Sequence, residues 1–235
     1  MKRKDFIKGA AGFSLVELMI ALLLGMIASV GIYKTYTSFS ANAAVQEGLV
    51  EMQQNLRYGM KKMATEVRRT GFDPEDGGLF GLVAGSCTST KLKFSYDVDE
   101  DGAVDSNELI TYSFDSGSNQ LDRRESGGAA QGVIENVNGL QFIYLNNTTF
   151  QGYVGSTTAR GVQISMVVRS TNEDYSYIDS ATDYTNLYGN RIPLSNDGVA
   201  LPTLGDNTTN RHFHRRVMST KIWARNLNFN ANKVP

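Results

Sequence analysis

From Phe13 to Tyr33 the chain reads FSLVELMIALLLGMIASVGIY, 21 residues with one charged side chain, Glu17. At about 1.5 Å per residue a helix of this length reaches roughly 30 Å, the thickness of a bilayer hydrocarbon core. The run therefore predicts a single membrane-spanning helix. Ahead of it Lys2, Arg3, Lys4 and Lys8 stand against one acid, Asp5. That basic flank predicts an N-terminus held in the cytoplasm and a C-terminal body exported. A secretory signal would end its shorter apolar region at a small-residue cleavage site, whereas here the run continues into more helix. A carboxylate at membrane depth costs on the order of 3 kcal/mol, so Glu17 needs a cationic partner.

After Lys34 the apolar residues thin into a stripe, Val45, Leu49, Met52, Leu56, Met63 and Val67, at helical spacing. Basic residues gather toward its C-terminal end, where the helix dipole favours them, and Gly71 and Pro74 stop it. One nearly continuous helix from Phe13 to about Thr70 is expected, with bends or local melting at Gly25, Gly31, Gly48 and Gly59, each of which costs about 1 kcal/mol of helix propensity. From Lys91 onward the period changes to two. Leu92, Phe94 and Tyr96 alternate with polar residues, as do Ile110 to Phe114, Leu140 to Tyr144, Val162 to Val168 and Met218 to Ala224. Such alternation predicts half-buried strands of an antiparallel sheet with one wet face, and the stripe on the helix is the partner for the packed face. The fold class is α+β, a long N-terminal helix packed on an antiparallel β-sheet head. The polar stretch from Thr171 to Thr209 is too long for a bare connector and is expected to hold a short hairpin or to be a surface insertion that contacts a neighbour.

One segment carries a metal-binding pattern. Asp97-Val98-Asp99-Glu100-Asp101-Gly102-Ala103-Val104-Asp105-Ser106-Asn107-Glu108 satisfies D-x-D-x-[DN]-G-x5-E at every specified place. Calcium takes six to eight oxygens, and this spacing offers the carboxylates of Asp97, Asp99 and Asp101, the backbone carbonyl of Ala103, Asp105 through a water, and a bidentate Glu108. Gly102 permits the sharp reversal, and Val104 is expected to turn inward as an anchor. Six acids in twelve residues repel one another unless a cation sits among them. The flanking segments read as strands rather than helices, so the loop is expected to bridge two strands and to hold a structural ion. A solvated acidic turn is the alternative.

The Lys-rich leader, the sequence Gly12-Phe13-Ser14-Leu15-Val16-Glu17 and the apolar run that follows together resemble the class III signal of type IV prepilins and type II secretion pseudopilins. The resemblance implies cleavage between Gly12 and Phe13 by a membrane-embedded prepilin peptidase and methylation of the new amine. Cutting there would place a cation at Phe13 one helical turn from Glu17, so that the two can neutralise each other in lipid or between packed subunits. Further along, Ala64 to Phe72, Leu109 to Phe114 with Leu121-Asp122-Arg123-Arg124, Ile134 to Phe142, Gly161-Val162-Gln163-Ile164 and Ala224-Arg225-Asn226 resemble the PilW family of minor pilins. The region from Thr171 to Thr209 departs from that pattern.

On this resemblance residues 1–12 are a cleavable leader, 13–34 the transmembrane and filament-core half of the helix, 35–71 its amphipathic half and 72–235 a β-rich periplasmic head. The implied partners are the prepilin peptidase, the major pilin, other minor pilins, the inner-membrane assembly platform, and lipid before assembly. The implied role is to prime or tip a type IV pilus. A J-type minor pseudopilin of a type II secretion system and a membrane-anchored calcium-dependent adhesin that never assembles remain open alternatives.

The rest of the composition narrows the field. With 23 Lys and Arg against 24 Asp and Glu, there is no global electrostatic case for nucleic acid. The single Cys87 excludes an intrachain disulfide and a cysteine-based zinc cage; a buried thiol is expected, with an intermolecular disulfide as the alternative. Arg211-His212-Phe213-His214-Arg215-Arg216 is a basic cluster expected to form a wet strand edge, and its His-x-His pair lacks a third metal ligand. No nucleophile elbow, phosphate-cradling loop or other catalytic set is present in the sequence, which reads as a non-enzymatic protein.

Overall fold

The computed structural model describes residues 12–75, 77–83, 85–145, 159–181, 184–194 and 209–227. The chain falls into two compact units, Met1–Gln46 and Glu47–Pro235. One helix, α1 (Leu15–Arg69), contributes to both. At 55 residues it is about 82 Å long. It is the one described helix long and apolar enough to cross a membrane. Within the first unit every large apolar side chain from Phe13 to Phe39 is at least 52% exposed.

Within the second unit α1 buries Gly48, Met52, Leu56, Gly59, Met60, Met63 and Val67: four of the six expected stripe residues are buried with Met60 beside them, while Val45 and Leu49 are only half-buried. It ends as expected. Arg68 and Arg69 occupy the last turn, Gly71 turns with φ +76°, and the Gly71 N–H leaves the helix to donate to the Ser95 carbonyl at 3.0 Å. A Cβ at Gly71 would stand 2.6 Å from the Asn226 carbonyl oxygen, so both backbone angle and space require glycine there. The expected local melting at the internal glycines does not occur: α1 is continuous through all four. At Gly59 the reason for glycine is contact, because a Cβ would lie 1.7 Å from Ile134 Cδ1.

Among the described residues seven strands form two antiparallel sheets, where the sequence predicts a single sheet. β1 (Lys91–Ser95), β2 (Leu109–Asp115), β3 (Gln120–Glu125) and β4 (Gln131–Ile134) make a four-stranded meander. β5 (Val137–Leu145), β6 (Gly161–Arg169) and β7 (Arg215–Trp223) make a three-stranded sheet. β3 and β4 escape the periodicity because QLDRRE and QGVI each bury a single apolar side chain, Leu121 and Ile134. One core cluster joins Met52, Leu56, Met63 and Val67 of α1 to Leu92, Phe94 and Tyr112 of the first sheet and Leu140, Phe142 and Ile164 of the second. Full burial of such a side chain contributes about 1.5–3 kcal/mol relative to exposure. A polar clamp lies beside it. Glu66 of α1 accepts from the Tyr112 hydroxyl at 2.8 Å and from Arg123 Nε at 3.1 Å. Burial pushes the Tyr112 phenol well above its usual range, and the Glu66 carboxylate adds to the shift.

The half-buried alternation holds in β1 and β2 and fails in the second sheet. β6 is buried on both faces, including Gln163 and Ser165, which point away from the core row of Val162, Ile164, Met166 and Val168. Described residues of the 170–194 segment meet the neighbouring strands β5 and β7. Asn186 Nδ2 donates to Gln141 Oε1 at 2.8 Å, Leu194 bridges Gly139, Ile192 is fully buried, and Lys221 Nζ stands 4.3 Å from the Tyr188 ring. The segment contains the expected short hairpin: Thr185 pairs with Arg191, Ile192 N–H donates to the Tyr184 carbonyl at 2.8 Å, and Gly189 turns with φ +78°. The rest of that long stretch, 195–208, and the stretch 146–158 lie outside the described residues.

Candidate functional site

The processing residues belong to the first unit and the acidic loop to the second. At the N-terminus Gly12 and Phe13 precede α1, with Phe13 85% exposed and nothing within 4 Å of a Cβ built on Gly12. Glu17 lies in the first turn of α1, whose backbone bonding begins with Leu18 N–H to the Ser14 carbonyl at 3.1 Å. A carboxylate in a first turn is favoured by the helix dipole. The basic leader, residues 1–11, lies outside the described residues.

The acidic loop joins β1 to β2, two strands as expected, in a hairpin pairing Ser95 with Leu109. Asp97 and Glu108 sit at its two ends with no solvent exposure, while Asp99, Asp101 and Asp105 are exposed. The buried pair organises the loop backbone. Asp97 Oδ1 accepts from Glu100 N–H at 2.6 Å and Oδ2 from Gly102 N–H at 3.1 Å. Glu108 Oε1 accepts from Val98 N–H at 2.6 Å and Oε2 from Asp105 N–H at 2.9 Å. Asp101 Oδ1 accepts from Ala103 N–H at 2.8 Å. Gly102 turns with φ +72°, the reversal its position predicts, and Glu100 also takes a positive φ, +64°.

Ligand oxygens of Asp97, Asp99 and Glu108 lie within 4.8 Å of one another, and so do those of Asp99, Asp101 and Asp105, which makes Asp99 the shared corner. Oxygens around calcium stand 2.3–2.6 Å from the ion, so spacings of up to about 5 Å suit a common cation. Each carboxylate oxygen has two lone pairs, and at Asp97 and Glu108 the backbone takes one of each. Among the described residues neither acid forms an ion pair. These hard oxygens with spare lone pairs could accept a cation.

Two features of the loop differ from the expectation. Val104 is 39% exposed and does not anchor it; the buried Asp97 and Glu108 do so through their backbone bonds. Glu75, absent from the motif, packs its carboxylate against Gly102, where Oε2 would stand 2.5 Å from an added Cβ. It reaches the loop because the chain leaving α1 runs alongside β1, with Asp97 N–H donating to the Phe72 carbonyl at 2.9 Å. No local pattern marks Glu75, since the contact is made across the turn that follows Gly71.

The basic cluster at Arg211 to Arg216 is not the expected wet edge. Arg215 pairs with Asp179 at 2.9 Å with side chains only 1% and 4% exposed, and its Nε donates to Asn138. His214 Nε2 bonds Asp174 Oδ2 at 3.0 Å and its ring stacks on Tyr177 at 3.8 Å, while His212 Nδ1 bonds the Tyr177 carbonyl at 2.8 Å. These residues moor the 170–194 segment. Burial and then the bond to Asp179 push the Tyr184 phenol upward. Cys87 is buried as expected, its thiol bonded to the Lys93 carbonyl at 3.3 Å and raised above its ordinary value by burial.

Comparison with known proteins gives three results. No curated protein matches the chain. Among solved structures it is similar to the type IV-like pilin TTHA1219 from Thermus thermophilus, at 13% identity and a TM-score of 0.47, over 75% of this chain and 98% of that one. Residues 7–33, from the leader through the apolar run, match the family model of the prokaryotic N-terminal methylation motif.

Proposed function

We propose that the protein is a minor pilin, a non-enzymatic subunit that is cut between Gly12 and Phe13, methylated on the new amine, held in the inner membrane, and then packed into the priming complex or tip of a type IV pilus. The observation that carries this reading is the methylation motif at residues 7–33 opening directly into a helix whose first half is apolar and uncovered. Assembly is packing. The apolar half of α1 leaves lipid for a bundle of like helices, and Glu17 sets axial register by pairing with a neighbouring subunit's N-terminal amine. The head stands on the periplasmic side and then on the filament.

Glu17→Ala, expressed in the native cell, is expected to be processed and retained in the membrane yet depleted from sheared filaments. Unchanged incorporation overturns the role of Glu17. A deletion strain that keeps surface pili and loses exoprotein release would assign the subunit to a type II secretion pseudopilus instead.

We further propose that the 97–108 loop holds a structural calcium ion through Asp97, Asp99, Asp101, the Ala103 carbonyl, Asp105 through a water, and Glu108. The support is the pair of fully buried acids, Asp97 and Glu108, with oxygens free to accept a cation. Calorimetry on the full chain in detergent is expected to show calcium binding that Asp97→Ala and Glu108→Ala abolish. No heat, together with no thermal stabilisation by calcium, overturns it.

A further inference from the structure

We infer that Tyr33, Tyr36 and Phe39 form an interfacial anchor that seats α1 in the phospholipid headgroup layer on the side of the membrane facing the head, and so sets the depth of the membrane segment. The inference rests on the proposed membrane insertion of the first half of α1 and adds which residues fix its position. The three rings are 68%, 70% and 70% exposed. Spaced three residues apart, they lie within about 120° of one side of the helix and about 9 Å along its axis. Tyr gathers where hydrocarbon meets headgroup, its ring apolar and its hydroxyl polar, and the Phe39 ring adds apolar area beside the two tyrosines.

Axial distances agree with that layer. Taking Phe13 at the inner edge of the hydrocarbon, Leu23 stands about 15 Å along the helix, at mid-bilayer, and Tyr33 about 30 Å, at the far hydrocarbon edge. Tyr36 stands at about 35 Å and Phe39 at about 39 Å; with an ordinary tilt of about 20° these become roughly 32 and 37 Å. The headgroup layer adds about 5–7 Å on each side. All three rings fall at or within it, and Ala44, at about 44 Å on the same tilt, falls outside.

The polar residues of the stretch agree. Ser29 Oγ donates to the Gly25 carbonyl at 2.8 Å, Thr35 Oγ1 to the Gly31 carbonyl at 2.9 Å and Thr37 Oγ1 to the Lys34 carbonyl at 3.0 Å. Ser29 falls within the hydrocarbon, and its hydroxyl proton is satisfied by the helix itself, which a water-poor layer demands. The Lys34 ammonium can extend to the phosphates beside Tyr33. Beyond Phe39 the next exposed large apolar side chain is Val50, so the anchor has a defined end.

The test uses the full chain reconstituted in phosphatidylethanolamine and phosphatidylglycerol vesicles, with Trp223, the single tryptophan, replaced by Phe. Leu23→Trp, Tyr36→Trp and Ala44→Trp are each added to that background, and quenching is compared between lipids brominated at acyl carbons 6 and 7 and at carbons 11 and 12. Leu23→Trp is expected to be quenched best by the deep bromines. Tyr36→Trp is expected to be quenched at least twofold better by the shallow ones, and Ala44→Trp by neither. Tyr36→Trp quenched by neither, or better by the deep bromines, overturns the anchor while leaving the membrane reading intact. Leu23→Trp quenched by neither overturns the membrane reading on which the anchor rests.

Discussion

The two halves of α1 are parts of one helix with opposite relations to their surroundings. From Phe13 to Phe39 large apolar side chains occupy every side of the helix and all are exposed; from Glu47 to Arg69 most of them gather in a stripe whose Met52, Leu56, Met60, Met63 and Val67 are buried, with Val50 and Tyr58 left exposed outside it. A helix apolar all round demands a partner on every side, which a membrane or a bundle of like helices supplies, whereas a one-sided stripe needs one partner surface. The two sheets are that surface for the second half. The contrast also separates two stabilities: head folding depends on the stripe, and membrane residence depends on the apolar half.

That separation can be broken by paired substitutions. The largest effect is expected from Met63→Ala, which empties a fully buried site and should cost the head about 2–5 kcal/mol in denaturant unfolding while leaving membrane association unchanged. Leu23→Arg, its counterpart in the apolar half, should cost about 3 kcal/mol of insertion and shift the chain from the membrane to the soluble or degraded fraction, with the head's melting temperature unaltered. If either variant changes both properties, the two halves are not independent. Chelating calcium belongs to the same comparison. At an ion concentration of about 100 Kd the bound state gains about 2.7 kcal/mol, so EDTA should lower the head's melting temperature by roughly 5–10 °C and leave membrane residence untouched.

The smallest effects sharpen the contact map of the buried half. Gly59→Ala forces Ile134 to move and should destabilise the head by about 1–3 kcal/mol. Gly48→Ala has nothing within 4 Å of its new Cβ and should stabilise it by up to about 1 kcal/mol. Equal signs for the two in thermal unfolding would contradict the packing described.

What was legible in the sequence follows from where each pattern's cause lies. Met52, Leu56, Met63 and Val67 announce a buried helical face because one local period suffices to create it, and Asp97 to Glu108 announce a loop because all its acids are contiguous. The second sheet is not legible in the sequence for the opposite reason. Gln141 and Lys221 look like a wet face, and they meet the 170–194 segment because residues far apart in the chain, Asp179 with Arg215 and Asn186 with Gln141, moor it there. The same non-local cause hid Glu75 beside Gly102 and turned the cluster around His212 and His214 from an exposed edge into a mooring. Val104 was expected inside because it is apolar, but buried backbone bonding by Asp97 and Glu108 leaves the loop no need of an apolar anchor.

On the proposed function, processing at the start of the apolar half would create the amine that pairs with Glu17. The most direct measurement is intact-mass and N-terminal peptide mass spectrometry of the protein extracted from native membranes. The account predicts a chain beginning at an N-methylated Phe13, with residues 1–12 removed. A chain that retains Met1 and the basic leader would contradict it.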